Sequence, residues 1–222
     1  SNAYLLSTEF STLLSGRYVE IRMLPLSFKE FLDFYEFAAD VTMEEKFQKY
    51  LQFGGMPILR EYKFNEARSN QALEGIYSTV VLRDILQRNS GADQAMQLLK
   101  TLGKNYIIDM GFRNMLLGYR DADRGHIIEN IVFLELLRRD YRVYIGKVGE
   151  TEVDFVAEKP NDKIYIQVTE SMQSPETRER ELRPLRLIPD NYEKIVLSMD
   201  RSFIKSYDGI KSENLIDWLL SD

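Results

Sequence analysis

Three oxygen-bearing side chains, Glu129, Asp154 and Gln167, are the ones whose types and places could do chemistry. The stretch GETEVDFVAEKPNDKIYIQVTE, residues 149–170, reads as two short strands joined by a turn. Residues two apart on a strand share a face. Tyr165, Gln167 and Thr169 then point one way, and Ile164, Ile166 and Val168 the other. The same alternation sets Glu152 and Asp154 against Val153 and Phe155, so the two polar faces can meet. Glu129 lies in HIIENIVFLELLRR, residues 126–139, a run apolar nearly all round, with Phe133, Leu136 and Leu137 on its own side. An unpaired carboxylate there is costly, so Glu129 is expected to have a partner. Carboxylate and amide oxygens are hard donors of the kind that hold a divalent cation. Whether these three hold a metal depends on the elements that carry them.

Those elements are legible in outline. After Pro25, Ser27 and Glu30 have the spacing of a reciprocal helix cap, with a helix running to about Ala39. Thr42 and Glu45 repeat the device, and FGGMP, residues 53–57, ends the second helix. From Asn65 to Arg88, Leu73, Ile76, Tyr77, Val80 and Val81 recur at helical spacing, with Arg83 and Arg88 among the polar positions. Residues 88–95, RNSGADQA, read as a linker. The 126–139 helix closes with Arg138 and Arg139, which suit its negative C-terminal end. Strands are expected at Tyr141–Ile145, Glu152–Ala157 and Ile164–Thr169. Next comes a helix opened by Ser174 and Pro175 and shortened by Pro184, then a strand over 193–199 and a helix over 214–220. The fold class is a mixed α/β (α+β) arrangement: N-terminal helices followed by a mixed sheet flanked by helices.

The 222 residues are 44% apolar and 29% charged, as in ordinary globular domains. No apolar run approaches the roughly 20 residues of a membrane span, and neither a leader nor any cysteine is present, so a cytoplasmic protein with no membrane partner is expected. The net charge of -6 argues against a surface coated in nucleic acid, although a local basic groove remains open. His126, the one histidine, cannot make a zinc site and is expected at a helix start, partly exposed. Asp109 in IIDMG caps the next turn, Trp218 and the tyrosines fill the core, and ETRERELR, residues 176–183, is a solvated face of paired Glu and Arg.

The order of elements, with Glu129 on the helix, EVDF around Asp154 and IQV around Gln167, resembles the restriction-endonuclease-like PD-(D/E)XK nuclease fold. The resemblance implies Mg²⁺ held by Asp154 and Gln167, with Glu129 completing the catalytic set and a lysine two residues beyond Gln167 assisting the attacking water. Thr169 stands where that lysine belongs. Lys163 shares the face of Gln167 but lies four residues away, roughly 13 Å along a strand, too far to serve the same metal. The reach of Lys147 is open, and Arg178, Arg180 and Arg183 can steady a phosphate but cannot act as a base. A degenerate, noncatalytic site is therefore expected, with an active Mg²⁺ nuclease as its rival.

A longer likeness rests on residues 1–34, on YLQFGGMP (50–57), on IYSTVVLRDILQRN (76–89) and on residues 105–139. Together they are similar to bacterial and archaeal predicted AAA+-type ATPases that carry a C-terminal nuclease-like domain. On this likeness residues 1–89 are the end of the AAA+ module and its helical lid, 90–104 a shortened linker and 105–222 the nuclease-like domain. Asn2 then lies at the nucleotide-sensing strand and Arg17 approaches a γ-phosphate; Ser1–Ala3 reads equally as a protease scar. No G-x-x-x-x-G-K-[ST] loop occurs in these residues, so ATP would bind only in the intact parent protein. The family's winged-helix-like segment is replaced by SGADQAM, residues 90–96. The expected role is a noncatalytic module binding DNA, the missing ATPase module or another protein; the alternatives are a Mg²⁺-dependent DNA nuclease and a structural domain that supports a homo-oligomer.

Overall fold

Two reciprocal caps start the helical part. Ser27 Oγ accepts from Glu30 N at 3.1 Å while Ser27 N donates to the Glu30 carboxylate at 2.7 Å. Helix α1, Phe28–Phe34, follows. Thr42 and Glu45 pair the same way, at 3.2 and 2.8 Å, and open α2, Met43–Phe53. The computed structural model describes residues 23–82 and 106–221. Helix α1 stops well short of Ala39, because Tyr35 is already extended. Aromatic packing accounts for the early end. Leaving the helix lets Tyr35 and Phe37 stack on Phe64, with ring centres 5.2 and 5.7 Å apart, while the Tyr35 hydroxyl donates to Met56 O at 3.2 Å. A 3₁₀ turn, Pro57–Tyr62, leads to α3, Glu66–Ile76, capped by Asn65 and continued in π geometry over Tyr77–Leu82. Asn2, Arg17, Arg83, Arg88 and the linker over 88–95 lie outside the described residues.

The FGGMP break has a steric cause. Gly54 has φ +76°, and a Cβ there would meet the Asp109 carboxylate at 2.5 Å; one on Gly55 would collide with Leu26 O, and one on Gly111 with Phe53 O. Space is this tight because Asp109 draws the chains together. Its carboxylate accepts from Gly55 N at 2.6 Å, Gly111 N at 2.8 Å and Phe112 N at 3.3 Å, and so caps α4, Met110–Leu117, while holding the loop after α2. Asn114 on α4 donates to Leu51 O at 2.9 Å and Gln52 O at 2.8 Å, satisfying carbonyls at the end of α2. Asp109 is 2% exposed. Burial pushes its pKa up to about 6, against the pull of its three N–H donors.

A 3₁₀ turn, Asp121–Asp123, then α5, Arg124–Arg138, begin the α/β part. The strands are β1 (Arg142–Val148), β2 (Thr151–Lys159), β3 (Asp162–Thr169), β4 (Glu193–Ser198), β5 (Ser206–Tyr207) and β6 (Ile210–Asn214). Helix α6, Pro175–Arg186, connects β3 to β4, and α7, Leu215–Leu220, follows β6. The sheet order is β1-β2-β3-β4-β6-β5. β1, β2 and β3 pair antiparallel, β3, β4 and β6 parallel, and β5 antiparallel to β6. Strands β5 and β6 were not foreseen, since β6 buries Ser212 and Asn214 beside Ile210 and so lacks an apolar stripe. Pro184 does not shorten α6; it lies in the last turn, where only one upstream carbonyl loses its donor. Trp218 is buried and lies under Arg139, with its ring centre 4.4 Å from the guanidinium carbon. One hydrophobic cluster runs from Phe28, Phe31 and Phe47 through Ile127 and Val132 to Phe155 and Ile166, so the N-terminal helices, α5 and one face of the sheet share a core, while α6 packs on a second, smaller cluster. Among the described residues no helix is long and apolar enough to cross a membrane.

Replacing Asp109 by Ala strands two buried N–H donors and one part-buried one and should cost roughly 3 kcal/mol in urea unfolding. Its folded pKa of about 6 lies above the ordinary 3.8, so the folded state binds this proton more tightly than the unfolded chain does. Stability from this group is therefore full at low pH and lost as pH rises through about 6. Relative to Asp109→Asn, the wild type should lose about 1 kcal/mol between pH 5 and 7, measured by paired denaturation curves.

Candidate functional site

The site sits where β2 and β3 part. Their ladder runs from Lys159 and Asp162 to Phe155 and Ile166. Beyond Phe155, the pairing of β2 with β1 slips: Tyr144 faces Val156, but Gly146 faces Val153, leaving an extra residue on β2. The slip corrects the simple alternation expected there. Phe155 and Ala157 enter the core under α5, whereas Val153 enters the smaller core under α6 with Tyr165, Leu182 and Leu185. Asp154 occupies the bulge, and its side chain takes over from the missing ladder. Its Oδ2 accepts from Val168 N at 2.8 Å, while its own N–H donates to Gln167 Oε1 at 3.3 Å.

The network continues across to α6. Gln167 Nε2 donates to Glu181 Oε2 at 3.0 Å, and Arg180 closes on Glu181 Oε1 through Nε at 3.0 Å and Nη2 at 2.7 Å. Gln167 and Glu181 are each 8% exposed. An amide suits position 167 because it accepts from Asp154 N with one end and donates to a carboxylate with the other; a carboxylate would face Glu181 as a like charge. The burial of Glu181 departs from the solvated face that the sequence predicts for residues 176–183. The signal lies in its spacing: positions 181, 184 and 185 share one helical face, and Pro184 and Leu185 are buried.

Glu129 approaches from α5. Its side chain is 22% exposed, with His126 Nδ1 4.0 Å from Oε2, and the His126 side chain is 73% exposed as expected. Tyr106, which the sequence did not single out, stacks on Phe133 at 4.3 Å and lies 5.4 Å from the Phe155 ring. Phe133 is one turn beyond Glu129, and Phe155 follows Asp154. Burial raises the Tyr106 phenol above its usual range, and the negative charges of Glu129 and Asp154 add to the rise. The structure thus brings Asp154 and Gln167 into one bonded network, and the charges of Glu129 and Asp154 both act on the Tyr106 phenol. Among the described residues no group of three or more His, Cys, Asp and Glu side chains is placed to hold a metal ion.

Thr169 holds the position two residues beyond Gln167. Thr169 is buried, and its hydroxyl donates to Ser171 O at 3.4 Å. Lys163 pairs with Glu158 at 3.1 Å and lies over the Tyr165 and Tyr192 rings. Lys147 is the cross-strand partner of Glu152. Arg178 covers the Tyr207 ring at 5.6 Å. Between α6 and the parted strand ends lies an open cleft of about 840 Å³. Glu152, Glu176, Glu179 and Glu181 line it, against Arg180 and Arg183. Gln167→Glu should place a second carboxylate against Glu181 and cost roughly 2 kcal/mol at pH 7. Acidification should shrink that loss as one carboxyl takes up a proton, read by denaturation of both proteins at pH 7 and pH 5.

No family model and no solved structure matches the chain. It is 33% identical to an uncharacterized protein of Haemophilus influenzae, over 99% of this chain and 69% of the relative. It is 27% identical to uncharacterized protein MJ1544 of Methanocaldococcus jannaschii, covering 82% of this chain but only 56% of that relative. The first alignment extends over 282 positions against the chain's 222 residues, so at least 60 positions of it have no counterpart here. At that identity over nearly its whole length, the chain belongs to the family of this Haemophilus influenzae protein.

Proposed function

We propose that this chain is part of an AAA+-type ATP-binding protein, and that its nuclease-like part is a noncatalytic module for binding a partner. The observation that carries the reading is Thr169: the position that would need a lysine holds a buried hydroxyl turned to Ser171 O. The order α5-β1-β2-β3-α6-β4, with α6 crossing between parallel strands, supports the nuclease-like comparison. So do Asp154 and Gln167 at the parted ends of β2 and β3. Hydrogen bonds into the sheet and to Glu181 occupy both side chains. The surplus positions in the relative fit a family with an additional internal segment. ATP would belong to the parent protein, and Mg²⁺, where bound, to Asp154 with Gln167 and Glu129. Four glutamates against two arginines in the cleft favour a protein partner bearing basic side chains over the phosphates of DNA.

A second reading, a Mg²⁺-dependent DNA nuclease, draws on Asp154 and Gln167 meeting at the parted ends of β2 and β3, with the charges of Glu129 and Asp154 both acting on Tyr106. Incubation with supercoiled and branched DNA, with and without Mg²⁺, separates the two. The proposal expects no cleavage; metal-dependent cleavage abolished by Asp154→Ala would establish the nuclease. Binding of branched DNA measured at 50 and 200 mM salt tests the choice of partner, since a phosphate-binding groove should weaken steeply over that range. Absence of binding at both salts is the outcome expected here.

A further inference from the structure

We draw no further inference here: the strongest candidate, the acid-rich mouth of the cleft between α6 and the parted ends of β2 and β3, belongs to the site already described, and its two most deeply buried polar side chains, Gln167 and Glu181, already hold each other.

Discussion

A carboxylate taken out of water must be given donors, and the way Asp109 obtains them organises the molecule. Two of its three N–H partners open α4, and the third, Gly55, belongs to the loop after α2. Such an arrangement demands that backbones approach without side chains between them, which fixes glycine at 54, 55 and 111. The neighbouring residues extend the linkage. Ile107 is held through both main-chain groups by the Asn130 amide on α5, at 2.6 and 2.7 Å. Tyr106, one residue earlier, lies against Phe133 and Phe155. Within six residues, 106–111, the chain touches the helical layer, the long helix and the candidate site. Displacing Asp109 would therefore be felt at Tyr106 through backbone, with no longer-range pathway needed.

The site obeys a similar rule of substitution. Where β2 and β3 separate, main-chain groups that would have bonded across the ladder need other partners. Asp154 and Gln167 supply them, one accepting from Val168 N and the other from Asp154 N. Side chains that offer themselves as oxygen ligands in the sequence are thus employed as hydrogen-bond bridges. Glu181 and Arg180 carry the bridge to α6, so the network joins three elements around the cleft. Arg180 is unusual in closing on its immediate neighbour, because adjacent residues on a helix do not face each other. Its side chain is 72% exposed and lines the cleft.

Legibility from sequence followed the range of the interactions. Both caps were readable because Ser27 with Glu30, and Thr42 with Glu45, act within a single turn. Strands β1 to β3 were readable from alternation alone, with ends differing by a few residues. What escaped depends on distant partners. The bulge at Asp154 is set by the pairing of β1 with β2, and the burial of Glu181 by the stacking of α6 on β3. The early end of α1 is set by Phe64, some thirty residues onward. Asp109 was read as a cap, correctly, but its hold on Gly55 crosses 54 residues and left no local mark. Tyr106 in a strand-like apolar run looks like any other core aromatic until Phe133 and Phe155 are brought against it.

The same network explains why a single substitution would not restore what the nuclease resemblance asks for. A lysine at 169 would enter a buried position where the present side chain meets a main-chain carbonyl. Its ammonium would need a carboxylate close by, and the residue two before it on the same face is a neutral amide already bonded to Glu181. Changing that amide to a carboxylate sets it against Glu181, and removing Glu181 strands the freed end of the buried amide. Each step away from the present arrangement leaves a buried group unsatisfied unless the others change with it. Thr169, Gln167 and Glu181 therefore form one mutually consistent choice, and the chemistry at this hairpin is constrained by all three together.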